Sequence, residues 1–165
     1  MDIRPCFECG EKYRPYVLSD RALCAICKKE RKESERKKAA HTYYAEGYIC
    51  CEAGEYDEAI RNYTKAIEIE SEFANAYSAR GSAYSRKGEY DRAITDYNRA
   101  IELDQNFAEA YLMRGIVYDR KKEHEKAVSD LNFYLKLLPL KMFFSKHGSD
   151  IKFRIRELKK KTGGI

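Results

Sequence analysis

No stretch of this chain reaches the ~18 consecutive apolar residues that a bilayer-spanning helix requires, so no segment is expected to cross a membrane. The first residues, Met1-Asp2-Ile3-Arg4-Pro5, lack the apolar core of a signal peptide. Histidine occurs three times, and the sequence offers no Ser/His or Cys/His constellation, no phosphate-cradling glycine loop and no open metal site. Catalysis is therefore not expected. Six cysteines without an export signal read as reduced thiols or metal ligands, not as a disulfide framework. A cytoplasmic setting is the expectation. The 165 residues, 44% of them apolar, suit one folded body with a small appendage.

Charge is plentiful but unevenly placed. Residues 1–39 carry 11 basic and 7 acidic groups, residues 40–139 carry 13 and 18, and residues 140–165 carry 8 and 2. An acidic middle between basic ends is weak ground for a nucleic-acid binder, because the largest part repels phosphate.

What the chain has in abundance is repetition. Gly47, Gly81 and Gly115 are spaced by 34, as are Tyr43, Tyr77 and Tyr111, and Ala59, Ala93 and Ala127. Ala66 and Ala100 keep that interval with Tyr134. Self-similarity at ~34 residues marks stacked helix–turn–helix units, here 40–73, 74–107 and 108–139. Tyr77, Gly81 and Tyr84 fall at i, i+4 and i+7, one stripe of a helix. A glycine in mid-helix costs ~1 kcal/mol against alanine, and close approach of a second helix through Ala93 and Tyr97 supplies the reason. Gly88 ends the first helix, and Ala93, Ile94, Tyr97, Ala100 and Ile101 form the buried stripe of the second. Cys50 stands where Tyr84 and Tyr118 stand in the other copies and reads as a small core residue. Lys122 replaces the turn glycines Gly54 and Gly88, so the third turn is expected to be strained or looser.

These residues resemble the tetratricopeptide-repeat pattern over about 100 residues: an aromatic, a glycine four on, an aromatic three further, then small residues in the second helix. The resemblance implies an all-α, right-handed solenoid of three helical hairpins whose first helices line a concave, peptide-binding face. On that face it places Tyr44, Tyr48 and Glu52 from the first copy and Asn75, Ser78, Ser82 and Arg86 from the second. Glu109, Leu112, Ile116 and Arg120 come from the third. Tyrosines at one end and Leu/Ile at the other suit an extended or helical peptide. In the resembled family a well-known variant clamps chaperone-tail carboxylates with Lys, Asn and Arg. The matching positions here are Tyr44, Tyr48, Ala79, Glu109 and Met113, so no such clamp is expected.

Ahead of the repeats, Cys6-x-x-Cys9-Gly10 and Cys24-x-x-Cys27 form two pairs separated by 14 residues. Four thiolates at this spacing can close a tetrahedron about one structural Zn²⁺. Gly10 suits a tight knuckle, Tyr13–Leu18 and Ala22-Leu23 about Ser19-Asp20-Arg21 a short hairpin, and the second pair the start of a helix. Knuckle, hairpin and helix resemble the treble-clef class of zinc fingers. A redox pair lacks the βαβ setting, and iron as in rubredoxin is disfavoured by Lys28, where that family usually repeats the knuckle glycine. Lys28 to Ala40 has no glycine or proline and is expected to be a helix running into the first repeat, with Arg31/Glu35 and Glu33/Lys37 at i,i+4.

Pro139 closes the last repeat helix. Ser149-Asp150 then offers an N-cap to a helix whose apolar face is Ile151, Ile155 and Leu158. Lys159–Lys161 suit its C-terminal end. This helix is expected to cap the stack, with no membrane partner; the rival reading is a basic amphipathic membrane helix, which Met142-Phe143-Phe144 keeps open, these being either buried against the last repeat or exposed for a partner. The sequence thus points to a monomeric protein-interaction adaptor bearing a zinc finger. The alternative is a regulator whose finger and basic residues Arg14, Arg21, Lys28, Lys29, Arg31 and Lys32 bind DNA or RNA. Glu30, Glu33 and Glu35 interleave with that basic run, as on a solvated helix face.

Overall fold

The computed structural model describes residues 20–163 and the backbone of Arg4–Pro5 and Lys12–Tyr13, with side chains from Lys28 onward. Two short strands, β1 (Arg4–Pro5) and β2 (Lys12–Tyr13), pair antiparallel with Arg4 opposite Tyr13. Helix α1 (Asp20–Glu52) follows. Ala22-Leu23, expected on one side of a short hairpin, are helical instead, and residues 14–19 on its other side lie outside the described residues. An acidic residue opening the first turn, followed by Arg21-Ala22-Leu23, favours helix there. Cys6 and Cys9 lie outside the described residues, as do the side chains of Cys24 and Cys27, and so does the metal site that they were expected to form.

Helix α1 has 33 residues and spans roughly 50 Å at 1.5 Å per residue. Its stretch from Lys28 to Lys38 is exposed, carrying Arg31–Glu35 at 3.5 Å and Lys37–Glu33 at 3.4 Å. Such pairs contribute a few tenths of a kcal/mol each. Burial begins at Ala40, which is inaccessible to solvent. From there α1 packs on α2 (Tyr56–Ile69), α3 (Ala74–Lys87) on α4 (Tyr90–Leu103), and α5 (Ala108–Arg120) on α6 (His124–Leu137). Successive hairpins stack through α2 against α3 and α4 against α5. This is an all-α helical-hairpin array.

The repeated small residues set the spacing within each hairpin. Ala59, Ala93 and Ala127 are fully buried. A Cβ on Gly81 would stand 3.1 Å from the Tyr97 ring and 3.2 Å from the Ala93 carbonyl oxygen, and one on Gly47 only 2.7 Å from the Tyr63 ring. Any side chain there would push the two helices apart.

A second periodic device crosses between hairpins. Arg80 donates from Nε and Nη2 to the two carboxylate oxygens of Asp96, each at 2.8 Å, and from Nη1 to Thr64 Oγ1 on α2 at 3.0 Å. Thirty-four residues on, Arg114 holds Asp130 at 2.7 Å twice and Asn98 on α4 at 2.6 Å. Each guanidinium thus ties its own hairpin to the preceding one.

The turns explain one departure between copies. Gly54 and Gly88 sit at φ 81° and 83°, and Lys122 occupies the same left-handed region at φ 63°. A side chain there costs ~1–2 kcal/mol, partly offset by the lower unfolded-state entropy of lysine relative to glycine. Lys122→Gly is therefore expected to raise stability by about 0.5–1 kcal/mol in urea titration. A loss of stability would mean that the Lys122 side chain holds the turn.

Beyond Pro139 a single turn, α7 (Leu140–Phe143), leads to α8 (Lys146–Lys161). The cap of α8 is Ser145, whose Oγ accepts from the Gly148 amide at 3.3 Å, and not Ser149. Gly148 decides the register: a Cβ there would lie 2.4 Å from the Phe143 carbonyl oxygen, so only glycine lets α8 start hard against α7. Ile151, Ile155 and Leu158 pack on Ala127, Leu131 and Leu135 of α6.

Candidate functional site: a trough along the first helices

The first helices of the three hairpins face a common trough of about 470 Å³. Helix α1 contributes Tyr44, Tyr48, Cys51 and Glu52, α3 contributes Asn75, Ser78, Ala79, Ser82 and Arg86, and α5 contributes Glu109 and Met113. Tyr63 of α2 and Phe107 of the α4–α5 turn complete the lining. Eight of the eleven positions expected on this face meet there: Tyr44, Tyr48, Glu52, Asn75, Ser78, Ser82, Arg86 and Glu109.

The other three do not. Leu112 packs into the apolar cluster of Leu131, Leu135, Ile155 and Leu158. Ile116 and Arg120 are exposed and stand apart from the trough lining. Helix α8 meets this end of the array, where its Arg154 pairs with Asp119 of α5 and its Ile155 joins the same cluster as Leu112. Conversely, Tyr63 and Phe107 were not expected in the lining. Tyr63 lies on the second-helix stripe that reads as core, and only the bare Cα of Gly47 lets its ring approach the first helix.

The trough has an aromatic wall and a mixed rim. Tyr44 lies 5.7 Å from the Tyr63 ring and 5.2 Å from that of Phe73, and His41 stands 4.6 Å from Phe73. Tyr48, 57% exposed, leaves a large amphipathic face uncovered. Burial, then the nearby Glu109 carboxylate and Tyr48, raise the pKa of Tyr44. Burial also pushes Tyr97 to about 12, opposed by its hydrogen bond with Ser82 and reinforced by Glu109. Both phenols therefore stay protonated at neutral pH. Cys51 is likewise raised by burial, with Arg86 opposing, so it is a thiol and not a nucleophilic thiolate. The surface offers hydroxyls, one carboxamide, two carboxylates (Glu52, Glu109) and one guanidinium (Arg86).

Helical hairpins stacked around an inner trough define a helical-repeat scaffold. Residues 47–88 and 83–122 match the family described as TPR repeat, and residues 108–137 match the tetratricopeptide repeat. The chain belongs to the tetratricopeptide-repeat family, with about three repeats, and that family is one of scaffolds that are typically non-catalytic. Among solved structures, it is similar to the first TPR of Spaghetti (RPAP3) bound to the HSP90 peptide SRMEEVD, at 25% identity and a TM-score of 0.69. That match covers 78% of this chain and 96% of the other. It is similar also to the TPR2B domain of yeast Sti1 in complex with pHsp70, at 27% identity and a TM-score of 0.63, covering 76% and 97%. The Yersinia enterocolitica secretion chaperone SycD, with a peptide of the translocator YopD, shares the fold at 18% identity and a TM-score of 0.69, over 74% and 93%. No curated protein matches the sequence.

Proposed function

We propose that this protein is an interaction adaptor that holds an extended or helical peptide segment of a partner in the trough between α1, α3 and α5. The observation that carries the reading is an aromatic trough with exposed Tyr48 and Arg86 on its rim, in a fold whose solved relatives bind peptides. The ligand differs in kind from a chaperone tail. Tyr44, Tyr48, Ala79, Glu109 and Met113 occupy the positions where a carboxylate clamp would need cations or an amide, and Glu109 repels a terminal carboxylate.

The test uses random-peptide display on the intact protein, followed by titration of recovered peptides. Tyr48→Ala/Arg86→Ala, both exposed, is expected to weaken binding at least tenfold, ~1.4 kcal/mol, with an unchanged melting curve. The peptide SRMEEVD is expected to bind no tighter than ~1 mM. Peptides that bind the double variant equally well would move the site off the trough, and micromolar binding of SRMEEVD would overturn the ligand class.

Cys6, Cys9, Cys24 and Cys27 are taken to hold one structural zinc, which would supply folding energy and no chemistry. The support is their spacing and the all-thiolate donor set. Metal analysis of purified protein is expected to find one equivalent of zinc, lost in Cys6→Ser/Cys9→Ser; iron or no metal would refute it. The nucleic-acid alternative gains nothing from the exposed part of α1, where Arg31 and Lys37 are paired to Glu35 and Glu33.

A further inference from the structure

The C-terminal unit caps the array through Ile151, Ile155 and Leu158, as the sequence suggests. Away from that contact, Leu140 is 78% exposed, Phe144 75% and Phe153 63%, with Met142 at 46%. Phe143 alone of the Met142–Phe144 triplet is sheltered, under the Lys152 ammonium, which sits 3.4 Å from its ring centroid and donates to its carbonyl oxygen. The dilemma posed by that triplet resolves as one ring covered and its neighbours left in solvent.

Several cations lie close in sequence to these apolar side chains, and Glu157 is shared by Lys160 and Lys161. Arg154 is engaged by Asp119 and Lys160 by Glu157. Among the described residues, Lys141, Lys146, Arg156 and Lys159 have no carboxylate within ion-pair distance. Residues 140–165 carry 8 basic and 2 acidic groups, whereas the adjoining array, residues 40–139, carries 13 and 18.

We propose that the outer face of α7–α8 docks peripherally on an anionic lipid surface. Leu140, Phe144 and Phe153 would enter the headgroup boundary, and the unpaired lysines and Arg156 would meet lipid phosphates and carboxylates. Apolar side chains protruding from a lysine-rich helix fit that medium because a lipid boundary adapts to whatever projects into it. Nucleic acid would leave Leu140 and Met142 against phosphate with nothing to stack on. A second copy meeting this face with its own would bring like charges together. The neighbouring acidic array is repelled by the same surface, so contact is end-on and leaves the trough open. No helix of the described residues is long and apolar enough to span a bilayer, so the attachment is reversible.

The test is co-sedimentation of the intact protein with vesicles of phosphatidylcholine alone, or with about a third phosphatidylserine. Binding is expected on the anionic vesicles only, and to fall sharply between roughly 0.1 M and 0.5 M salt. Leu140→Ser/Phe144→Ser is expected to weaken it at least tenfold, and Lys141→Gln/Lys146→Gln/Lys159→Gln by a similar factor, each with an unchanged circular-dichroism melt. The all-lysine variant keeps the test decisive should the apolar one misfold. No binding to anionic vesicles would overturn the proposal, and so would equal binding to neutral ones. Full retention by the Leu140/Phe144 variant would reduce the face to a generic polycation and overturn it too. A dimer in sedimentation velocity that this variant dissolves would assign the face to a second copy instead.

Discussion

Tyr97→Ala is expected to cost the array about 3–5 kcal/mol, the range for removing a buried aromatic without collapse of the space it filled. Tyr97 has no solvent exposure. Its ring fills the gap over Gly81, and its hydroxyl lies 3.1 Å from Ser82 Oγ. Domains of this size have ~5–15 kcal/mol in total, so a fifth or more of the stability would be gone. Because repeats are held by their neighbours, the loss should broaden the urea transition. Tyr97→Phe keeps the ring and is expected to cost only the hydrogen bond, ~0.5–1.5 kcal/mol. A cost below about 1 kcal/mol for the alanine variant would mean that the hairpins are not held by this contact.

The same residue sets an alkaline limit. The folded state holds the Tyr97 proton up to about 12, whereas an unfolded tyrosine releases it near 10. Folded protein then binds more protons than unfolded, so the contribution is intact below pH ~10 and is lost as pH climbs toward ~12. Tyr44, Tyr63 and Tyr134 are raised too, each chiefly by burial, and act in the same direction. Tyr97→Phe is expected to flatten, though not abolish, the fall in melting temperature over that window.

The parts of this fold that sequence reveals are those the period repeats. A glycine recurring in mid-helix at 47, 81 and 115 announces a close helix contact wherever it appears. That the first helices line the inner face is what the tetratricopeptide-repeat resemblance implies, and it is this that places Tyr44, Ser82 and Glu109 on one surface. What breaks the period was not legible. Leu112 occupies an equivalent position, but it packs into the cluster where α6 and α8 meet, and that cluster depends on a packing event far along the chain. The sequence points to Ser149 as the cap of α8, whereas the cap is Ser145, because Gly148 meets a carbonyl of the preceding turn, which no local preference encodes. The Arg80 and Arg114 ties were within reach, being 34 apart with Asp96 and Asp130 at the same offset. They escaped notice because charged residues on a helix read as solvated until burial is known.

Those ties give the other large effect. Arg114→Met is expected to cost about 3–5 kcal/mol, because it abandons Asp130, only 6% exposed, as an uncompensated buried charge. Arg114→Met/Asp130→Leu removes both charges and is expected to recover most of that loss, since a buried pair offsets little more than its own desolvation. High salt should leave the wild-type tie largely intact while weakening the exposed Lys121–Asp91 pair of the turns. The Arg114 guanidinium also reaches Asn98 on α4, so its loss uncouples the third hairpin from the second. Amide exchange should therefore quicken across α5 to α8 more than across α1 to α4. A uniform acceleration along the array, or a double variant as unstable as Arg114→Met, would show that the guanidinium matters for packing of its stem and not as the link between hairpins.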